Sequence, residues 1–220
     1  MHLDKLTLQI KQLQKSSLGF SICQTLIFKN EIENHIGLRH EKIISKAPFE
    51  DYLMLNIVWM TPSALWKRSL LQNMDRLFDE ELQAAQEWEF HCRVLSLKFN
   101  YEIINQPLVF IRSHKNSISN NNNDLNRLWH YIKARQKVAK IEVVKNTFQL
   151  TNYLNTYNFK LFKKLVLKKY INTNKEPLNY YLFTKNGLSF YKKIKCLIVV
   201  ILYSKFNKGY SILNNIKLNS

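Results

Sequence analysis

Glycine is scarce in this 220-residue chain, with only Gly19, Gly37, Gly187 and Gly209, so no Gly-rich phosphate loop of the dinucleotide or P-loop kind can be built. The three cysteines, Cys23, Cys92 and Cys196, are odd in number and form no C-x-x-C pair. That argues against a disulfide framework and against a thiolate zinc site, and a reducing cytoplasm is the expected compartment. H-E-x-x-H and Asp-x-Asp are both absent. The opening Met1-His2-Leu3-Asp4-Lys5 has no basic segment followed by an apolar run, so no secretory signal is expected. The longest strongly apolar stretch, Cys196 to Tyr203, falls far short of the roughly 20 residues needed to cross a bilayer.

Acidic residues are also scarce, but only in one half. Residues 1–120 hold 14 Lys/Arg against 13 Asp/Glu, whereas residues 121–220 hold 19 against 3, which accounts for nearly all of the +17 formal charge. The change falls at the Asn120–Asn123 run and divides the chain into 1–120 and 121–220. Three readings of the basic half compete: a surface for anionic lipid, a surface for nucleic acid, or a Lys/Asn/Ile drift of composition without a binding role. With 46% apolar residues and 13% aromatics, the chain has enough material for a packed core.

Leu3, Leu6, Ile10 and Leu13 recur at helical spacing and predict an opening helix with one apolar stripe. Phe20 to Phe28 alternates loosely and reads as a strand, followed by a polar loop through His40. Residues 57–61 read as a second short strand, and Pro62 can begin a helix that continues through Leu71. A helix is expected from about Glu87 to Leu97, then two short strands, Tyr101 to Asn105 and Leu108 to Arg112, separated by Pro107. The first half is therefore mixed α and β. After Asn123 the pattern is helical throughout, with Leu125, Leu128, Trp129 and Ile132 on one stripe. The last long helix, about Ser189 to Phe206, sets an apolar centre between Lys192, Lys193, Lys195 and Lys205, Lys208. That layout suits either a membrane interface or a buried helix capped by lysines.

The informative stretch is Phe78-Asp79-Glu80-Glu81-Leu82, then Gln86-Glu87-Trp88-Glu89-Phe90, then Arg112-Ser113-His114 leading to Asn116-Ser117-Ile118-Ser119. By physics alone, Glu87 at a helix start beside aromatic residues is either a general base or an acid favoured there by the helix dipole. Arg112 and His114 alternate on a strand or its exit, so both point to one side.

Taken together, these segments resemble the second half of family 2 glycosyltransferases of the bacterial polysaccharide type, which have a GT-A fold. Trp59-Met60-Thr61-Pro62-Ser63-Ala64-Leu65-Trp66-Lys67-Arg68 looks like that family's strand and helix lining the sugar pocket, and Asp4-Lys5-Leu6 with Gln9 looks like the helix that follows its metal-binding motif. The match spans roughly residues 3–119. It implies an α/β (α+β) fold: a partial GT-A-like domain without the nucleotide-binding strands, ahead of an all-helical basic tail.

The resemblance further implies an inverting transfer from a nucleotide-diphospho-sugar to a glycan or lipid-linked acceptor in cell-surface polysaccharide or lipopolysaccharide synthesis. Glu87 would be the general base, oriented by Gln86; Trp88, Trp66, Thr61, Ser63 and Arg112 would bind substrate. His114 would ligate Mg²⁺ or Mn²⁺ on the donor diphosphate. Glu87 stands where the family usually has Asp, and a displacement of about one ångström can cost on the order of a hundredfold in rate. The family's Asp-x-Asp half is missing, so the resemblance implies little activity for the chain alone, a partner chain that completes it, or a split gene. The expected location is cytoplasmic, with peripheral contact to the inner face of the plasma membrane through the basic tail.

Two rivals come from other classes. One is a non-catalytic basic module that holds anionic membrane or a partner transferase. The other is nucleic-acid binding, prompted by Trp129, Tyr131, Tyr170, Tyr180 and Tyr181 among the basic residues, although no recognised nucleic-acid motif accompanies them.

Overall fold

The computed structural model describes residues 1–114, 124–184 and 186–218. The Asn116–Ser119 segment and the Asn120–Asn123 run lie outside the described residues. The chain divides into two units: Met1–Glu81 with Gln86–Asn121, and Leu82–Ala85 with Asn122–Ser220.

The first unit is built on β1 (Phe20–Phe28), which lies at the centre of a four-stranded mixed sheet. β4 (Tyr101–Arg112) runs parallel to β1 along its whole length. β2 (His35–Leu38) and β3 (Ala64–Trp66) pair antiparallel with its two ends: Leu26–Phe28 faces β2 and Phe20–Ile22 faces β3. Since β4 occupies one edge of β1 throughout, β2 and β3 share the other.

Helices cover both faces. α1 (Lys5–Gln14) packs on β1 and β4, with Leu8 against a small core of Cys23, Leu108 and Val109. The Phe20 face carries an aromatic layer in which Phe20 stacks on Trp66 at 4.2 Å between centroids and leans on Trp59 and Tyr101. α2 (Pro48–Leu53) and α4 (Gln86–Ser96) close that layer through Tyr52, Phe90 and His91. Gly19 precedes β1 because a Cβ there would come within 2.1 Å of Leu70 Cδ1 on α3 (Arg68–Gln72).

The opening helix is present, but of its predicted stripe Leu3, Leu6 and Ile10 face outward and Leu13 alone is buried. Leu6 and Ile10 are each 46% exposed, whereas Lys5, Gln9 and Leu13 are buried. Gln9 decides the orientation: its Nε2 donates to the carbonyls of Ser21 at 3.1 Å and Ser63 at 3.0 Å, satisfying two buried acceptors that an apolar residue would leave orphaned. Lys5 Nζ in turn donates to Gln9 Oε1, and burial lowers the Lys5 pKa.

Four further expectations are corrected. Residues 57–61 are not a strand, and no helix runs unbroken from Pro62. Thr61–Ser63 instead form one 3-10 turn, fixed by Ser63 Oγ accepting from Met60 N at 3.2 Å, and the strand follows it at Ala64–Trp66. The loop through His40 contains β2. Tyr101 to Arg112 is one strand, and its register with β1 shifts around Gln24, the partner of Pro107, which accommodates the missing N–H.

The second unit is helical: α5 (Leu125–Val138), α6 (Glu142–Lys145), α7 (Phe148–Leu167), α8 (Glu176–Phe183), α9 (Phe190–Phe206) and α10 (Tyr210–Asn215). It is no loose tail, because Ile132, Phe162, Leu165, Tyr181, Cys196 and Leu213 are buried in a common core. Asp124 caps α5 by accepting from Arg127 N at 3.1 Å. The short segment Leu82–Ala85 belongs to this unit: Gln83 N donates to His130 Nδ1 at 3.1 Å, and Asn126 Nδ2 donates to Gln83 Oε1 at 2.7 Å. Among the described residues, no helix is long and apolar enough to cross a membrane.

Candidate functional site

α4 starts immediately after Ala85, whose φ of 60° is unusual for a residue with a Cβ. Its first turn carries Glu87 and Glu89, acids that the positive end of the helix dipole favours. The two have different surroundings. Glu89 is 2% exposed and takes a bidentate pair from Arg93, Nε to Oε1 at 3.0 Å and Nη2 to Oε2 at 3.1 Å. Arg76 joins with Nη2 to Glu89 Oε1 at 3.2 Å and Nη1 to the buried Asp79 Oδ2 at 2.8 Å. Arg93 also donates to the carbonyls of Arg76 and Leu77. This network ties the Arg76–Asp79 loop to the start of α4.

Glu87 is half-buried and lies close enough to Tyr52 for its charge to add to the rise in the phenol pKa, which burial chiefly causes. Gln86 is also half-buried, and Trp88 is 6% exposed within the fold. One turn further on, His91 is buried and packed among Tyr52, Trp59 and Trp66. Burial lowers its pKa to about 3, so the ring is neutral near pH 7 and shares a 2.8 Å hydrogen bond between Nδ1 and the Tyr52 hydroxyl. Trp66 is half-buried and stacked on both Phe20 and His91, which engages its ring in the aromatic layer. Ser63 is fully buried, its Oγ 2.9 Å from Thr25 Oγ1, while Thr61 at the start of the same turn is exposed.

Arg112 ends β4, exposed, its guanidinium carbon 5.4 Å from the Phe28 ring centroid. Ser113 N continues the ladder by donating to Phe28 O at 2.8 Å, and His114 follows, exposed. The register puts Arg112 beside Phe28 and Trp66 beside Phe20, at opposite ends of β1. Eight strand steps separate those ends by about 26 Å, so Trp66 and the Arg112/His114 pair do not share one pocket. The fold does bring Trp66 next to α4, through His91. A cavity of about 360 Å³ in this unit is lined by residues such as Leu18, Lys67, Asn73 and Phe99, and by none of the candidate residues.

Among the described residues no group of three or more His, Cys, Asp or Glu could hold a metal ion. The expected Mg²⁺ or Mn²⁺ therefore does not fit a site made by these residues, His114 offering a single imidazole.

Sequence reading missed the roles of Arg76, Asp79, Glu89 and Arg93. The signal was present in the spacing, since Arg76/Asp79 are three apart and Glu89/Arg93 four apart. The Tyr52–His91 pair, separated by 39 positions, left no such trace. Compared with protein-family models, with curated proteins and with solved structures, the chain matches none.

Proposed function

We propose that the first unit belongs to a nucleotide-sugar glycosyltransferase of the inverting type, with Glu87 as the base that removes the proton of an acceptor hydroxyl. The observation that carries the reading is the contrast between the two acids of the α4 first turn. Glu89 is locked by two guanidinium groups, whereas Glu87, two residues away, is half-buried and carries no guanidinium partner among the described ion pairs. A carboxylate held on a rigid helix start, beside the buried Trp88, has what a general base requires: a fixed position and an approach from solvent.

In this reading Gln86 orients Glu87, and Arg112 meets the phosphate oxygens of a nucleotide-diphospho-sugar, for which a guanidinium is suited. The acceptor is a glycan or lipid-linked sugar, and a partner chain supplies the Asp-x-Asp and divalent ion absent from this sequence.

Calorimetric titration with a panel of nucleotide-diphospho-sugars, with and without Mn²⁺, tests the donor side. Binding that disappears in Arg112→Ala and in His114→Ala supports the reading, and a well-folded chain that binds none of the panel overturns donor binding by this chain. Glu87→Gln is expected to leave donor binding intact and to abolish sugar transfer by the reconstituted enzyme.

A further inference from the structure

α9 has two faces. Cys196, Val199 and Val200 are buried in the core of the second unit. Nine positions of the helix are exposed; two are Lys195 and Lys205, and the other seven are apolar or aromatic. Phe190 is 79% exposed, Tyr191 64%, Ile198 50%, Ile201 46% and Phe206 62%. Single exposed apolar residues are ordinary, but Tyr191, Ile194, Ile198 and Ile201 recur at spacings of three and four and form one continuous stripe. Ile212 on the adjoining α10 is also 48% exposed.

The charge around the stripe has one sign. Lys195 and Lys205 lie within it and Lys208 just beyond it, all exposed, and no Asp or Glu follows Glu176 in the sequence. We propose that the outer face of α9 is a docking surface for an anionic lipid bilayer, with the helix lying in the interfacial plane, its apolar stripe among the acyl chains and its lysines at the headgroups. Charge complementarity selects this occupant. A second copy would set one acid-free lysine surface against another, and a nucleic acid has no use for seven apolar side chains. At 17 residues with lysines along its length, α9 is suited to lie on a bilayer. Because its opposite face is built into the core, binding engages the second unit as a folded body. The inference is independent of the transferase reading.

The test is flotation of the full chain with vesicles of phosphatidylcholine, alone or mixed with phosphatidylglycerol. The expected result is association with the mixed vesicles only, weakening as salt is raised. The Ile198→Asp/Ile201→Asp variant should bind at least about tenfold more weakly, and Lys195→Glu/Lys205→Glu by about the same factor. All four positions are exposed, so an unchanged circular dichroism spectrum separates lost docking from lost fold. In Phe206→Trp, the new indole emission should shift to the blue on adding mixed vesicles. Three results would overturn the proposal: no association of the folded chain with mixed vesicles, association indifferent to the aspartate pair, or a dimer that the aspartate pair dissociates while vesicle binding is absent.

Discussion

The two units satisfy their charges in opposite ways. In the first, acids and bases are nearly equal in number and the most buried acids, Asp79 and Glu89, sit between Arg76 and Arg93. In the second, Asp124 caps α5, Glu142 pairs with Lys145 and Glu176 with Lys133, and no acid follows Glu176. Buried charge in the first unit holds a loop to a helix. The surplus bases of the second turn to neutral partners instead, Lys163 to the Asn214 carbonyl, Lys193 to the Thr184 carbonyl and Arg135 to the Tyr157 ring, while Lys195 and Lys205 lie beside an exposed apolar stripe. Acid–base pairing holds the loop in the first unit, and charge of one sign beside apolar surface is what the docking proposal for α9 rests on.

The largest expected effect is on the core of the second unit. Phe162, fully buried and close to Phe159 and Tyr181, should cost about 3–5 kcal/mol of that unit's stability as Phe162→Ala. Trp59, Trp66 and Trp88 lie in the first unit and Trp129 in the second, so in a Trp129→Phe background tryptophan fluorescence follows the first unit alone. Its urea midpoint should not move with Phe162→Ala. If it moves by a comparable amount, the units unfold as one and the contrast in their energetics collapses.

Glu89→Ala comes next. It leaves Arg93 without its bidentate partner and cuts the link between Arg76 and α4, and is expected to destabilise the first unit by about 2–3 kcal/mol. Denaturant unfolding followed by fluorescence measures it. A loss no larger than that of a surface pair would show that the network is not what fixes the start of α4.

Acid should separate the units less strongly. His91 has its pKa lowered from 6.5 to about 3, so between those values the unfolded chain binds a proton that the folded one refuses. Stability is then fully present above pH ~6.5 and falls as pH drops toward 3, by about 1 kcal/mol per pH unit between ~6 and ~5. Asp51 and Glu102, whose pKa values are lowered by hydrogen bonds, lose their contribution at more acid pH, so the window from pH 7 to 5 isolates the histidines. His91→Gln should flatten the slope for the first unit. The smallest effect is expected from Glu142→Gln, an exposed pair whose loss should leave the melting temperature unchanged.

What was legible in the sequence was what local periodicity encodes. α4, β1 and the long C-terminal helix fall where spacing and composition put them, although β1 lies at the sheet centre with Phe20 to Thr25 all buried. α1 was legible as a helix but not in its orientation, since a single glutamine bonded to two carbonyls outweighed the exposure of Leu6 and Ile10. The turn at Thr61–Ser63 is held by a local bond from Met60 N to Ser63 Oγ, but Ser63 Oγ also meets Thr25, 38 positions away, and no local pattern announces that second contact. For the candidate site, the place of Glu87 at a helix start was legible, while the network that holds that start depends on which loop folds back upon it. The distance between Trp66 and Arg112 follows from strand register, which composition does not specify.

The chain crosses between its units three times, at Glu81/Leu82, Ala85/Gln86 and Asn121/Asn122, and the middle excursion is only Leu82–Ala85. Gln83 is hydrogen-bonded to α5, and Glu87 lies four residues after it. Cutting the chain at Asn121 would therefore leave Leu82–Ala85 on the fragment of the first unit, parted from His130 and Asn126, the α5 residues that it bonds.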